Sequence, residues 1–213
     1  NGKELRWSHR ELLKLEWTDR RVLEIGCFNG FFVDELRAHG ADAYGLDVNT
    51  AALTAGARLF GLQGRLFVTI DEASAYGPFD DVLCIDVVEH VDDPDGFLAM
   101  VSGLLSPQGR VHVAGPTIER RFFDKSDYPP HHKWRFSRPG LVHFLERGGF
   151  QTSVPVVQYD GLLLLRNWIG KQLHRRNRNE FYGEVAVTAP SLSGGISRSI
   201  YAFASRLGEL LFK

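Results

Sequence analysis

Cysteine is scarce in this chain: Cys27 and Cys84 are the only two among 213 residues. So few thiols exclude a disulfide scaffold, and at the ends of apolar runs each reads as a small buried hydrophobe of a reduced, cytosolic protein. An excess of one charge is also missing. With 25 Lys plus Arg against 26 Asp plus Glu the formal net charge is −1, which excludes a surface that is basic all over. Nucleic acid is therefore not the expected partner. No uninterrupted apolar run approaches the roughly 18 residues that a membrane-spanning helix needs. The start shows no signal-peptide pattern, and an opening at Asn1 rather than methionine is what a piece of a longer protein would give. What is present suits a folded domain: 44% hydrophobic and 24% charged residues, in a length that fits one domain of about 150 residues with an appendage.

The hydrophobic pattern alternates between two periods. Ser8 and Glu11 predict a capping box at the head of an amphipathic helix over residues 8–17. Residues 21–25 then read as a strand, 26–30 as a turn, and 31–39 as a helix stopped by Gly40. A second strand at 43–46 ends in Asp47, Thr50 caps a helix over 51–60, and a third strand is expected at 66–70. The fourth, at 81–86, is nearly all apolar, as expected when helices cover both faces of a sheet. Pro94 opens a helix carrying Phe97, Leu98, Val101, Leu104 and Leu105, and a strand follows at 110–114. Strands alternating with helices predict an α/β fold, a Rossmann-like doubly wound, mostly parallel sheet with helices on both faces.

Residues 115–135 lack a period and contain Pro116, Pro129 and Pro130, which reads as a binding loop or lid. Ser137 caps a further helix ended by Gly148 and Gly149, and 150–159 reads as a last strand. The expected division is an N-terminal helix at 1–20, a core domain at 21–159, and a helical C-terminal appendage at 160–213. Within the appendage, 162–178 joins a leucine-rich face with Trp168 to the basic residues Lys171, Arg175, Arg176 and Arg178, a pattern that suits a helix packed on the domain or a partner with a solvated basic end, with peripheral membrane contact as the alternative. A Gly/Ser-rich break at 191–195 precedes a final helix at 196–212.

The most specific signal is the first strand-turn-helix unit together with the acid after the second strand. Gly26 and Gly30 let the turn take positive φ and let a ligand lie against bare backbone at a helix start. Asp47 stands 21 residues after Gly26, near the offset of about 20 at which a carboxylate receives the ribose hydroxyls of an adenosine-type ligand. The turn lacks the internal glycines of G-x-G-x-x-G, which disfavours a dinucleotide such as NAD. Glu24, two residues before Gly26, can order the turn or accept an ammonium group.

Four stretches in order, VLEIGCFNG, GLDVN, FDDVLCIDVVEHV and LLSPQGRVHVAGP, resemble the class I S-adenosylmethionine-dependent methyltransferases. The likeness is greatest to the small-molecule branch that includes ubiquinone-biosynthesis O-methyltransferases, and it covers about residues 21–158. The resemblance implies S-adenosylmethionine as cofactor, with S-adenosylhomocysteine as product. It implies that Glu24, Gly26, Cys27, Phe28, Asn29 and Gly30 hold the methionine part and that Asp47 holds the ribose. Asp71 or Glu72 would take the adenine edge, and Asp86 and Val87 the face beside the sulfonium. Phe28 departs from the family, which has a glycine there.

Methylation of an oxygen also requires removal of its proton, and neutral histidine suits that task. His90 and His132 are the candidate catalytic bases, with His131 as an alternative. Asp86, Glu89 and His90, with His132, offer a mixed set for Mg²⁺ or Mn²⁺. The pattern is similar to small-RNA 3′-end 2′-O-methyltransferases, but the Glu-His pair also occurs in metal-free members, and a site without metal is the expectation. The expected function is O-methylation of a small or lipid-linked acceptor. Its rivals are a metal-dependent RNA 2′-O-methyltransferase and a non-catalytic S-adenosylmethionine-binding module.

Overall fold

The strand periodicity is built as a central sheet whose two faces carry separate cores. The computed structural model describes residues 5–118, 127–152, 156–158 and 184–190, the last two segments through their backbone. In chain order the elements are α1 (Trp7–Leu12), β1 (Arg21–Ile25), α2 (Phe31–Ala38), β2 (Asp42–Leu46), α3 (Thr50–Phe60), β3 (Leu66–Phe67) and α4 (Ile70–Ser74). They continue with β4 (Phe79–Ile85), α5 (Pro94–Leu104), β5 (Leu105–Pro116), α6 (Arg138–Arg147), β6 (Val156–Gln158) and β7 (Glu184–Pro190).

The strand order is β3-β2-β1-β4-β5-β7-β6. The five strands from β3 to β5 are mutually parallel, and β7 runs antiparallel to both β5 and β6. Successive residues of each parallel strand face opposite cores: Leu23, Ile25, Val82 and Cys84 join one cluster with α5 and α6, whereas Val22, Leu83 and Ile85 join the other with α2 and α3. Burial on both faces is why these strands are nearly all apolar. The chain order reverses between β1 and β4, so the crevice beyond their carboxyl ends is where an open α/β sheet binds ligands.

Several boundaries move for local reasons. Helix α1 begins before Ser8, which is buried inside it, so the Ser8–Glu11 capping box does not form; Glu11 instead accepts from Lys14 Nζ at 2.6 Å. Asn49, not Thr50, caps α3, accepting from the Ala52 N–H. The third strand stops at Phe67 because Thr69 and Glu72 form a reciprocal capping box that starts α4. Strand β5 begins at Leu105, which the sequence pattern places at the end of the preceding helix, and reaches Pro116; an irregularity between Phe79 and Asp81 in β4 accommodates its early pairing.

The stretch expected to be a helical appendage beyond residue 160 contributes strand β7, which inserts beside β5. Alternating Val185, Val187 and Ala189 suit such a strand, and the sequence reading passed over that period. The remainder of 160–213, including 162–178 and 196–212, lies outside the described residues, as do 153–155 and 159 of the expected last strand. Among the described residues no helix is long and apolar enough to cross a membrane.

Candidate active site

Strand β1 ends in a turn that is fastened to the end of β2 through Gly26, Cys27 and Phe28. The Gly26 and Cys27 N–H groups both donate to the Leu46 carbonyl, at 2.8 and 3.1 Å. Gly26 has φ +78°, and a Cβ there would lie 2.6 Å from a methyl of Val87. Both the left-handed backbone and the close approach therefore require glycine. Gly30, at φ +74°, caps α2. Between them Phe28 takes φ +51°, a conformation that costs a side-chain-bearing residue about 1–2 kcal/mol. The residue is 59% exposed, so the phenyl, where the resemblance implies glycine, does not fill the turn. Cys27 turns its thiol into the core against Gly45, and burial raises its pKa, leaving a protonated thiol and only its backbone toward the crevice.

Asp47, at the end of β2, also holds this turn. Its Oδ2 accepts the Phe28 N–H at 2.7 Å and its Oδ1 the Asn49 N–H at 2.8 Å. Each carboxylate oxygen retains lone pairs for a diol. Asn29 Oδ1 accepts from the Phe31 N–H, and the Asn29 carbonyl lies so close to Gly56 of α3 that a Cβ there would be 1.7 Å away. Below the turn Glu24 is 4% exposed, and its Oε2 has no hydrogen-bond partner. Burial, reinforced by the Asp47 charge, raises its pKa to about 8.

Of the two acids considered for the adenine edge, Glu72 is occupied by its cap, its Oε2 accepting the Val68 and Thr69 N–H groups. Asp71 in the first turn of α4 keeps an exposed side chain. At the end of β4, Asp86 takes φ +52°, and its carboxylate pairs with Arg6, which precedes α1. No local pattern announces Arg6, because the contact spans 80 residues of sequence.

Beyond Asp86, the carboxylate of Glu89 and the rings of His90 and His132 converge, with one ligand-type atom of each within 4.8 Å of the others. Asp86 is outside this group. Residues 86–90 form a turn, not a helix, so the i, i+3, i+4 spacing does not align all three side chains. Gly115 leaves room for the Glu89 carboxylate: a Cβ there would sit 3.3 Å from Oε2. His90 Nδ1 lies 2.8 Å from the His131 carbonyl, so Nδ1 carries the hydrogen, and in the neutral ring Nε2 presents a lone pair. His132 meets His90 edge-on at 4.8 Å between centroids, with the Asp127 carboxylate 3.6 Å from its Nδ1. The His131 side chain is exposed, and its contribution to this arrangement is its carbonyl. The segment after Asp127 is stitched down nearby by the Lys133 and Trp134 N–H groups, both donating to the Glu89 carbonyl, and by Trp134 Nε1 donating to the Val91 carbonyl.

A glycine turn at the end of β1 and a carboxylate with two imidazoles after β4 admit several chemistries, and comparison with known proteins narrows them. The methyltransferase domain family matches residues 3–153. The chain belongs to that family. The methyltransferase's donor is S-adenosylmethionine. The ubiquinone biosynthesis O-methyltransferase of Aromatoleum aromaticum is 36% identical over 124 residues, covering 52% of this chain and 52% of that protein. The methyltransferase thus spans about half the length of the curated relatives it matches. Among solved structures, an S-adenosylmethionine-dependent methyltransferase from Mesorhizobium loti superposes with a TM-score of 0.60 at 20% identity, over 86% of this chain and 97% of that one. The cyclase SpnF gives 0.63 at 17%, over 91% and 86%. At these identities the likeness is one of fold, and a cyclase on the same fold shows why the site must carry the assignment.

Proposed function

We propose that this domain transfers the methyl group of S-adenosylmethionine to a hydroxyl of a small or lipid-linked acceptor. The observation that carries the reading is His90: its Nδ1–H is committed to the His131 carbonyl, which leaves Nε2 as a base at the end of β4, beside the face expected to hold the sulfonium. The name of the Aromatoleum aromaticum relative supports oxygen as the atom methylated. In this mechanism the turn at 26–30 and Asp47 hold the donor, and Asp86 and Val87 form the wall beside its methyl group. His90 removes the acceptor proton as the in-line displacement proceeds, and orientation supplies much of the rate. With labelled donor and a panel of phenols and alcohols, the wild type gains label in product. His90→Ala is expected to lower kcat by about 100-fold or more without changing donor affinity. Equal loss of donor affinity would assign His90 to the donor pocket and defeat this role.

The convergence of Glu89, His90 and His132 favours one second reading, a divalent ion at this cluster. One carboxylate with two imidazoles suits Mn²⁺ or a related ion, and the residues fit as a donor set. Such an ion would acidify the acceptor hydroxyl. On this reading Mn²⁺ binds the wild type calorimetrically, and His132→Ala weakens it by about 10-fold or more. Methylation of short RNA only with Mn²⁺, and of no small alcohol, would replace the first reading with RNA 2′-O-methylation. Donor binding without any turnover across both acceptor sets would point to the non-catalytic module.

A further inference from the structure

Glu24 is buried beneath the turn that is proposed to receive the charged end of the donor, and this inference rests on that reading. Its Oε2 lacks a hydrogen-bond partner although the side chain is almost wholly enclosed. A carboxylate left so would be costly, so the empty pocket holds the neutral acid. The groups around it do not reverse this. Asp47 from the end of β2 repels a negative Glu24, and Cys27 in the turn and Cys84 on β4 are thiols whose own ionisation its charge opposes. Helix α2 brings Phe32, Val33 and Leu36 to the same core. Among the described residues no cation is found to act on Glu24.

We infer that donor capture is proton-coupled: Glu24 meets the α-ammonium of the bound donor by giving up its carboxyl proton, which leaves to solvent as the ammonium-carboxylate pair forms. Charge balances, because the arriving cation replaces the departing proton. The ammonium, not the sulfonium, drives the exchange, so S-adenosylhomocysteine releases the proton as well. 5′-Methylthioadenosine, which lacks the amino-acid end, does not.

Calorimetric titration in two buffers of different ionisation enthalpy tests this directly. With the Glu24 pKa near 8 in the empty protein, S-adenosylmethionine binding at pH 7 is expected to release about 0.9 proton per site. Glu24→Gln is expected to bind more weakly, with heats that no longer depend on the buffer. A second measurement needs no ligand. A carboxyl whose folded pKa lies above its unfolded value loses stability as pH rises, so wild-type midpoints should fall from about pH 5 to 9 relative to Glu24→Gln. Donor binding with buffer-independent heats in the wild type would overturn the inference alone. Equal release with 5′-methylthioadenosine, or none with S-adenosylhomocysteine, would do the same. Absence of any donor binding would overturn the functional reading beneath it.

Discussion

Replacing Asp47 by alanine is expected to cost at least about 100-fold in affinity for S-adenosylmethionine. With Asp47 holding the donor ribose as proposed, two charge-assisted hydrogen bonds would disappear, each contributing about 1.5–3 kcal/mol, and every 1.4 kcal/mol is about tenfold in Kd. The same change releases the Phe28 and Asn49 N–H groups that the carboxylate now holds at 2.7 and 2.8 Å. Phe28 keeps a left-handed backbone at some energetic cost, so without its acceptor the turn relaxes and the donor loses a preorganised cradle as well as a contact. Asp47→Asn retains one carbonyl oxygen and should fall between the two. Calorimetry with S-adenosylhomocysteine measures the loss, and unchanged affinity in Asp47→Ala would contradict the pocket assignment. The overall fold should persist, because the Leu46 carbonyl still fastens the turn through Gly26 and Cys27.

The parts of the fold legible in the sequence were those set by local rules. Strands β1 and β4 could be read because burial on both faces demands continuous apolar residues. Helices α5 and α6 could be read because Asp93 and Ser137 are N-caps followed closely by proline. Strand β3 was overextended, since Val68 and Ile70 suit a strand while the Thr69–Glu72 capping box, a weak pattern in text, turns the chain into α4. Strand β7 was missed because its partner β5 lies about 70 residues earlier, and seven residues among basic and polar neighbours say little about a sheet edge. Glu184 pairs with Pro116 at one end and Pro190 with Arg110 at the other, a register no local signal could supply.

In the site the same division holds. Gly26, Gly30 and Asp47 were legible because a tight turn and a fixed offset restrict the residue types allowed. His90 and His132 could be nominated separately, but 42 positions of sequence hide their edge-on contact, which depends on the excursion being stitched to the Glu89 carbonyl. Arg6 and Asp127 were not nominated, because each acts only through a side chain brought in by the fold. Cys27 and Phe28 belong to the turn in sequence, yet one points its side chain inward and the other outward, leaving mainly backbone at the crevice.

Asp81→Ala is expected to destabilise the protein by about 3–5 kcal/mol while leaving donor affinity intact. Asp81 is fully buried in β4 and binds Arg20, Arg110 Nε at 2.8 Å and His112 Nε2 at 2.7 Å. Burial by itself would raise its pKa, but hydrogen bonds and charge from His112 and Arg110 outweigh this and hold the carboxyl well below the usual range. Burial lowers the His112 pKa against the pull of Asp81, its ring donates an N–H to that carboxylate, and the two guanidinium groups carry permanent charge beside it. Alanine would leave both cations partly buried without their acceptor, and at this chain length the melting temperature should fall by roughly 6–20 °C. The depressed pKa also fixes a pH window. The carboxylate's contribution is present above the unfolded value near 4 and is lost as pH falls through the lower folded value, so the gap between wild type and variant should close in acid. Five residues of extended strand, about 16 Å, separate Asp81 from Asp86 at the crevice. Asp47→Ala should therefore lose donor affinity without unfolding, whereas Asp81→Ala should lose stability without losing affinity. If Asp81→Ala also abolished binding while still folded, the two ends of β4 would be coupled and the site would not be confined to the carboxyl ends of the strands.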